Sequence, residues 1–214
     1  MTVVIRKTAI ARFAKLGFCV AAFAALAALT APHKIAPGGL APDFTLTDSG
    51  GEEHTLSEYL DGETIVVLEW FNPNCKFDTA HYDSSRRTMQ TVFEEYKDKG
   101  IVWLAINSGS EASGTAEPEL SEQRREEWGM EYPVLLDTDG AIGRKFKAKT
   151  TPQMYVIDRD GAFAYMGAID NQPYVLDTED EATRNYVDEA LEALLSGENV
   201  KKSATRPYGC KVKY

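Results

Sequence analysis

Residues 64–71, TIVVLEWF, form a run that is almost wholly apolar apart from Glu69. A strand with one solvated face alternates apolar and polar residues, whereas this run has no polar face. It therefore predicts a strand that is covered on both sides at the centre of a sheet. A chain of 214 residues with 43% hydrophobic content is long enough to build one such domain.

On either side of this run, the spacing of the apolar residues alternates between a strand-like and a helix-like period. Before it, an alternating pattern around Gly50 and Gly51 predicts a β-hairpin, which is followed by a short helix that begins at Ser57. After it, the chain from Cys75 to Gly100 predicts one long helix. An apolar stripe at helical spacing supports that prediction, formed by Met89, Val92, Phe93 and Tyr96.

The second half of the chain continues the alternation. It predicts strands over residues 101–106 and 134–136, a helix from Pro118 to Trp128, a short helix over 140–148, a hairpin over 154–166, and a last helix over 179–196. Helices between strands, followed by a closing hairpin and helix, indicate an α/β fold. We expect a three-layer sandwich, with a central mixed sheet, helices on both faces and an N-terminal β-hairpin.

Cys75 stands where the apolar strand runs into the predicted helix. Backbone N–H groups and the helix dipole stabilise an anion at a helix N-terminus, so a thiol there ionises more readily. The sequence therefore predicts a lowered pKa for Cys75 and a role as a nucleophile.

The N-terminal segment differs from the rest of the chain. Four basic residues, Arg6, Lys7, Arg12 and Lys15, precede an apolar run over residues 16–29. This pattern predicts a signal peptide over residues 1–31, and an uncleaved anchor remains an alternative. The run is rich in alanine and shorter than the roughly 20 apolar residues of a typical membrane span. The rest divides into a linker over 32–41, a domain over 42–197 and a C-terminal tail over 198–214.

Net charge excludes some partners. The full chain carries −10, and removal of residues 1–31, which hold four basic and no acidic side chains, lowers this by four to −14. Such a protein repels phosphate backbones and anionic lipid surfaces. We expect no nucleic-acid partner, and membrane association only if residues 1–31 are retained.

Export changes the interpretation of the cysteines, because outside the cytosol no glutathione pool keeps thiols reduced. Two remain after residues 1–31, Cys75 and Cys210. The alternatives are a working redox pair, a structural disulfide, and a tail whose thiol is inert. A permanent bond would close a loop of about 135 residues, worth about 5 kcal/mol in the chain-entropy treatment.

Four segments together carry a resemblance to a known family. APDFTL, IVVLEWF entering NPNCKF, KTTPQMYVIDRDG, and the terminal TRPYGCKVKY resemble the peroxiredoxin-like branch of the redoxin (alkyl hydroperoxide reductase/thiol-specific antioxidant) family. The resemblance implies a thioredoxin-like fold with Cys75 as its reactive cysteine. It also implies that the Thr151–Pro152 bond is cis and faces the sulfur. Asn74 and Lys76 flank Cys75 as candidate supporting residues, Lys76 either favouring the thiolate or pointing to water.

The departures from the family pattern limit the reaction. Asn72 stands where typical peroxiredoxins have a threonine that helps to hold peroxide, and Pro152 stands where they have an arginine. Neither Asn72 nor Asp78 supplies the second cysteine of a thioredoxin CxxC pair. A dithiol mechanism must then recruit Cys210 or an external thiol.

The sequence thus predicts an exported enzyme of the periplasm or cell envelope, a thiol-dependent oxidoreductase. Its reaction is thiol–disulfide exchange or weak peroxide reduction, with an external thiol as reductant and no cofactor. The alternatives are a non-catalytic domain with a structural Cys75–Cys210 disulfide, and a binding module of the envelope. His54 is predicted to be exposed at the surface, and His81 to be solvated or to cap its helix. No histidine or cysteine cluster has metal-ligand spacing, so no metal is expected.

Overall fold

A computed structural model describes residues 34–173 and 183–214. The predictions for residues 1–31 therefore lie outside the described residues. The strands are β1 (Thr45–Thr47), β2 (Glu53–Thr55), β3 (Ile65–Phe71), β4 (Ile101–Asn107), β5 (Val134–Leu136), β6 (Thr150–Thr151), β7 (Gln153–Ile157), β8 (Phe163–Gly167) and β9 (Cys210–Lys211). The helices are α1 (Leu56–Tyr59), α2 (Lys76–Tyr82), α3 (Thr88–Tyr96), α4 (Pro118–Glu127), α5 (Ala141–Phe146) and α6 (Tyr186–Leu195).

Strand β3 lies in the middle of a five-stranded sheet with the order β5-β4-β3-β7-β8. It pairs in parallel with β4 and antiparallel with β7, so the sheet is mixed. All seven residues of β3 are buried, which confirms the strand predicted from its apolar sequence. The predicted hairpins are also present, as β1–β2 and β7–β8.

Alternate side chains of β3 enter two separate cores, as the period of two in a strand requires. Ile65, Val67 and Phe71 join one core with residues of α2, α3 and α6. Val66, Leu68 and Trp70 join the other core with Leu56 of α1 and Phe146 of α5. The predicted α/β sandwich, with helices on both faces of a mixed sheet, is confirmed.

The single long helix predicted after Cys75 is wrong. The chain leaves the helix at Asp83, and Arg87 adopts a left-handed φ of 46° before α3 begins. Asp83 stabilises the break, because its Oδ1 accepts hydrogen bonds from both the backbone N–H and the hydroxyl of Ser85. The predicted stripe on α3 is nevertheless inside the core, with Met89 fully buried.

The last helix also begins later than predicted. Residues 179–182 lie outside the described residues, and Thr183 and Arg184 are not helical. Asn185 caps α6, since its side chain accepts hydrogen bonds from the N–H groups of Val187 and Asp188. In the part of the chain that the structure describes, no helix has the length and apolarity needed to cross a membrane.

Two histidines are buried, which contradicts the exposure predicted for His54 and the solvated alternative for His81. His54 is 8% exposed and its ring nitrogens contact the Tyr59 hydroxyl at 2.6 Å and Asp48 Oδ2 at 3.1 Å. His81 is 1% exposed and contacts Tyr208, which is 127 residues away in the chain. The partners of His54 are local in the sequence, whereas Tyr208 is far from His81, so the polarity of the neighbouring residues alone gave the wrong burial.

Glu69 is the one acid in the buried central strand. Its carboxyl group accepts hydrogen bonds from the Tyr82 hydroxyl at 2.7 Å, the Trp103 indole N–H at 2.9 Å and the Tyr132 hydroxyl at 3.3 Å. Burial raises the pKa of Glu69 to about 7, although these three donors lower it. The folded chain therefore holds a proton on Glu69 at a pH where the unfolded chain has released it.

The Glu69→Gln variant is predicted to remove a pH dependence of stability. A carboxyl group whose pKa is raised by folding contributes to the unfolding free energy. This contribution is fully present below pH 4.5 and is lost as pH rises to about 7. The unfolding free energy of the wild type minus that of the variant should fall by about 3 kcal/mol across this range. Urea unfolding at a series of pH values measures the difference, with exposed Glu53→Gln as the control. A difference that does not vary with pH would contradict the assignment.

Candidate active site

Cys75 lies at the end of a tight turn that joins β3 to α2. The Asn72 side chain accepts a hydrogen bond from the N–H of Asn74 at 2.8 Å, and the Cys75 N–H donates to the Asn72 carbonyl at 3.0 Å. Cys75 is the N-cap residue of α2, as the helix-start prediction requires. Its side chain is 1% exposed, so the turn holds the thiol inside the domain.

Thr151 and Pro152 face the thiol from the other side. The Thr151–Pro152 peptide bond is cis, as the resemblance implied. The Cys75 thiol donates a hydrogen bond to the Thr151 carbonyl oxygen at 3.0 Å. The hydroxyl of Thr151 is buried, and its interaction with the Cys75 sulfur lowers the pKa of this thiol.

Cys210 reaches the same place from the end of the chain. Strand β9 pairs antiparallel with β6, and Cys210 lies opposite Thr151 in the register. Both cysteines are free thiols, and the Cys210 thiol and backbone N–H both interact with the Cys75 sulfur. The tail therefore brings a second sulfur to Cys75, from a residue that is only partly buried.

Gly209 makes this approach possible. Its φ is +141°, and a Cβ atom at this position would lie 2.0 Å from the Thr151 carbonyl oxygen. No other residue type fits there without moving the main chain of one of the two segments.

The strap, which we define as residues 208–214, is anchored before Cys210 by Tyr208. The Tyr208 hydroxyl donates to Asp170 Oδ1 and contacts His81 Nε2 at 2.9 Å. Arg86 in turn donates to Asp170 Oδ2 at 2.8 Å. Burial and the nearby Arg86 lower the pKa of His81 to about 3, so its ring is neutral. The phenol ring also lies 6.1 Å from the Phe77 ring.

Tyr214 anchors the strap after Cys210. Its hydroxyl donates to the Ala148 carbonyl at 2.7 Å, and the Arg144 guanidinium lies 4.6 Å from its ring centroid. Modelling a Cβ on Gly140 or Gly143 would place it 2.5 Å from the Tyr214 ring, so these glycines provide the space for the ring. The strap is thus fixed on both sides of the second cysteine.

The lowered pKa predicted for Cys75 is wrong. Burial raises the pKa of this thiol, and the hydrogen bond with the Cys210 thiol raises it further. The Thr151 hydroxyl and the backbone N–H groups of Asp78 and Cys210 lower it, and of these the Asp78 N–H is the contribution expected at a helix start. The loss of hydration nevertheless outweighs these donors, because the sulfur is covered by the strap.

Asp78 is a site residue that the sequence analysis did not identify as functional. It lies one turn into α2, is fully buried, and its Oδ2 accepts a hydrogen bond from the Asn72 N–H at 3.1 Å. Burial, the Cys75 thiolate and Glu69 raise the pKa of Asp78 well above the usual range. Its Oδ1 has no hydrogen-bond partner among the described residues. The sequence feature that indicates Asp78 as a site residue is its position three residues after Cys75, because residues i and i+3 share a helix face.

The flanking residues are placed differently. Asn74 is exposed and belongs to the turn through its N–H. Lys76 is exposed too, and its ammonium nitrogen lies 5.3 Å from the Phe77 ring centroid. Arg124 of α4 contacts the turn instead, since its Nε donates to the Pro73 carbonyl at 3.0 Å. The sequence indicates Lys76 only because it is next to Cys75. Arg124 lies on another helix and has no such signal.

One cluster in the described residues has the composition of a metal site. Ligand atoms of Asp48, Glu52 and His54 lie within 4.8 Å of one another, a grouping that the sequence analysis missed. Asp48 Oδ1 already accepts hydrogen bonds from the N–H groups of Gly50 and Glu52, and His54 contacts Tyr59. These contacts give the cluster a structural role in the turn between β1 and β2.

Known proteins resemble this chain in sequence. The thiol-disulfide oxidoreductase ResA of Geobacillus kaustophilus (strain HTA426) is 31% identical over 128 residues, which cover 59% of this chain and 66% of that protein. ResA of Bacillus subtilis (strain 168) is 24% identical over 131 residues, covering 60% and 65%. The chain thus spans just under two thirds of the length of these relatives.

Solved structures resemble it over a longer range. An uncharacterized conserved protein from Geobacillus kaustophilus has a TM-score of 0.75 at 26% identity, covering 85% of this chain and 93% of that one. A hypothetical protein from Sinorhizobium meliloti 1021 has a TM-score of 0.73 at 23% identity, covering 85% and 96%.

The family comparison identifies the matching core. Residues 37–166 match the model of the AhpC/TSA family, a range that includes Cys75 and Pro152 and stops before Cys210. Since this range is more than half of the sequence, the chain belongs to the AhpC/TSA family.

Proposed function

We propose that the protein is a thiol–disulfide oxidoreductase whose redox pair is Cys75 and Cys210. The observation that carries this proposal is the position of the two free thiols. They are far apart in the chain and are brought into contact opposite Thr151. The printed names of the ResA relatives, which are thiol-disulfide oxidoreductases, support the same reaction class.

The reaction needs no cofactor, because two sulfurs hold the two electrons. The reduced pair gives up two electrons as the Cys75–Cys210 bond forms, and one substrate disulfide becomes two thiols. The proton of Cys75 needs an acceptor when its sulfur attacks. Asp78 fits this role, because its unpaired Oδ1 lies in the same buried site and its raised pKa makes it a stronger base than an ordinary carboxylate. An external thiol then reduces the pair again.

Exchange with a disulfide fits the site better than reduction of a peroxide. The Asn72 side chain is occupied by its turn, and Pro152 has no donor to offer. Typical members of the family use a threonine and an arginine at these positions to orient peroxide. The proposal therefore keeps peroxide reduction as a weak side reaction.

Two non-catalytic functions remain as alternatives to be tested. A permanent Cys75–Cys210 disulfide would act only as a structural bond, and a binding module would use neither thiol. A structural bond has a reduction potential below about −300 mV, whereas a working pair lies above that value. The potential therefore separates a working pair from a structural one.

The test equilibrates the protein with glutathione or dithiothreitol and follows the Cys75–Cys210 disulfide by peptide mass mapping. We expect a reversible pair above about −300 mV, and loss of insulin-reductase activity in both the Cys75→Ser and Cys210→Ser variants. Retained activity in both variants would exclude the proposed pair.

Stopped-flow measurement of hydrogen peroxide consumption tests the side reaction, and a rate no faster than that of free cysteine would eliminate it.

The Asp78→Asn variant is predicted to have two opposite effects. Without the carboxylate, the Cys75 pKa falls, because the nearby negative charge opposes thiolate formation. The rate at which the Cys75 sulfur attacks a disulfide should still fall by about 10-fold or more, because the proton acceptor is lost. Ultraviolet absorbance of the thiolate and stopped-flow kinetics measure the two effects. Exposed Asp98→Asn is the control, and an unchanged exchange rate would rule out the proton-accepting role.

We also propose that the chain is exported to the periplasm or cell envelope. The basic and apolar pattern of residues 1–31 supports this, as does the use of a cysteine pair that suits an oxidising compartment. Intact mass of the protein from the envelope fraction is expected to lack residues 1–31. Recovery of the full-length chain from the cytosol alone would contradict the proposal.

A further inference from the structure

The two sulfurs of the site differ in exposure. The Cys75 side chain is 1% exposed, and its thiol hydrogen is already directed to the Thr151 carbonyl at 3.0 Å. Cys210 is partly exposed and lies in a two-residue strand that pairs with β6. A disulfide that approaches from solvent therefore reaches Cys210 before it reaches Cys75.

The strap is the element that covers Cys75. Gly209 lies directly against the main chain of Thr151 and Pro152, with space for no side chain. Tyr208 closes the side next to α2, where its ring contacts Phe77 and His81. Thiol–disulfide exchange requires the attacking sulfur to approach in line with the disulfide, which a covered sulfur cannot do with a large substrate.

The strap is also held more firmly than two backbone pairs would hold it. Its Tyr208 hydroxyl binds Asp170, which is itself fixed by the Arg86 guanidinium at 2.8 Å. The Tyr208 hydroxyl donates a hydrogen bond to Asp170, so its oxygen can accept one from the neutral His81 ring in the Nε2-protonated tautomer. Beyond Cys210, the Val212 N–H donates to the Lys149 carbonyl at 3.1 Å. The cover over Cys75 is thus part of the folded structure.

We propose that Cys210 is the thiol that attacks an external disulfide, and that the strap shields Cys75 until Cys75 attacks Cys210. This inference rests on the proposed function and reverses the order of the two cysteines that the sequence favours. It makes Tyr208 and Gly209 positioning residues, because they fix which sulfur is outermost.

The steps balance as ordinary exchange. The Cys210 thiolate attacks one sulfur of the external disulfide, forms a mixed disulfide, and releases the first thiol with the proton that Cys210 has lost. Cys75 then transfers its proton to Asp78 and attacks the Cys210 sulfur. The Cys75–Cys210 bond forms, the mixed disulfide breaks, and the second thiol leaves as a thiolate that takes up a proton. Two protein thiols are oxidised and one external disulfide is reduced.

The order is tested with single-cysteine proteins in a Cys19→Ser background of the full chain. Cys75→Ser leaves only Cys210, and Cys210→Ser leaves only Cys75. The probe is 5,5′-dithiobis(2-nitrobenzoate), an aromatic disulfide whose released thiol is coloured. We expect Cys210 to react at least about 10-fold faster than Cys75 in the folded proteins and at a similar rate in urea. A Cys75 that reacts as fast as Cys210, or faster, in the folded state would overturn the order.

The shielding is tested by loosening the strap in the Cys210→Ser protein. Tyr208→Phe removes only the hydroxyl and keeps the ring, and Gly209→Ala forces the strap away from Thr151. Each should increase the reaction rate of Cys75 several-fold. Gly114→Ala is the matched control, because Gly114 also has a positive φ, of +64°, but faces open space. If neither strap variant changes the rate, the strap is not the shield.

These outcomes are distinct from a failure of the proposed function. That function fails if the parental protein, which carries only Cys19→Ser, forms no reversible Cys75–Cys210 disulfide. The order of attack fails if that disulfide forms but the mixed disulfide with the probe is found on Cys75 first. Peptide mass mapping of the parental protein after brief exposure to the probe separates the two results.

Discussion

The contact between the main chain at Gly209 and the main chain at Thr151 is the constraint on which the site depends. A strand can approach this closely only where one residue lacks a side chain, and Gly209 meets that condition. The contact places Cys210 opposite Thr151, whose carbonyl oxygen also accepts the Cys75 hydrogen bond. One peptide unit therefore fixes both sulfurs, and a shift of either segment would separate them.

Burial and helix-start electrostatics act in opposite directions on Cys75. A helix N-terminus lowers a thiol pKa where water still reaches the sulfur, as in exposed reactive cysteines. In this chain the strap removes that water, and the same backbone N–H groups then offset only part of the desolvation cost. The arrangement favours a second, proton-coupled role for Cys75, with Asp78 in the same buried site to take up the proton.

The sequence predicts the framework of this protein because its strands are specified locally. The central strand, both hairpins and the start of α2 follow from apolar runs, glycine turns and a change of period. The break between α2 and α3 has a local component, the Asp83–Ser85 hydrogen bonds, but Arg86 also reaches Asp170 across the fold, and that contact has no local signal. The burial of His81 has the same kind of cause, because Tyr208 comes from 127 residues away. Site features formed by contacts between distant segments are invisible to a local pattern.

The long sequence separation of the two sulfurs links the oxidation state to the lifetime of the fold. Folding stabilises the Cys75–Cys210 bond by some free energy. A thermodynamic cycle requires that the bond stabilise the folded chain by the same amount. An enzyme with this pair alternates in each turnover between a cross-linked form and a form held only by packing. A protease in the same compartment acts on the transiently unfolded chain, so it removes the reduced form sooner. The supply of oxidising substrate would in this way set the abundance of the protein as well as its activity.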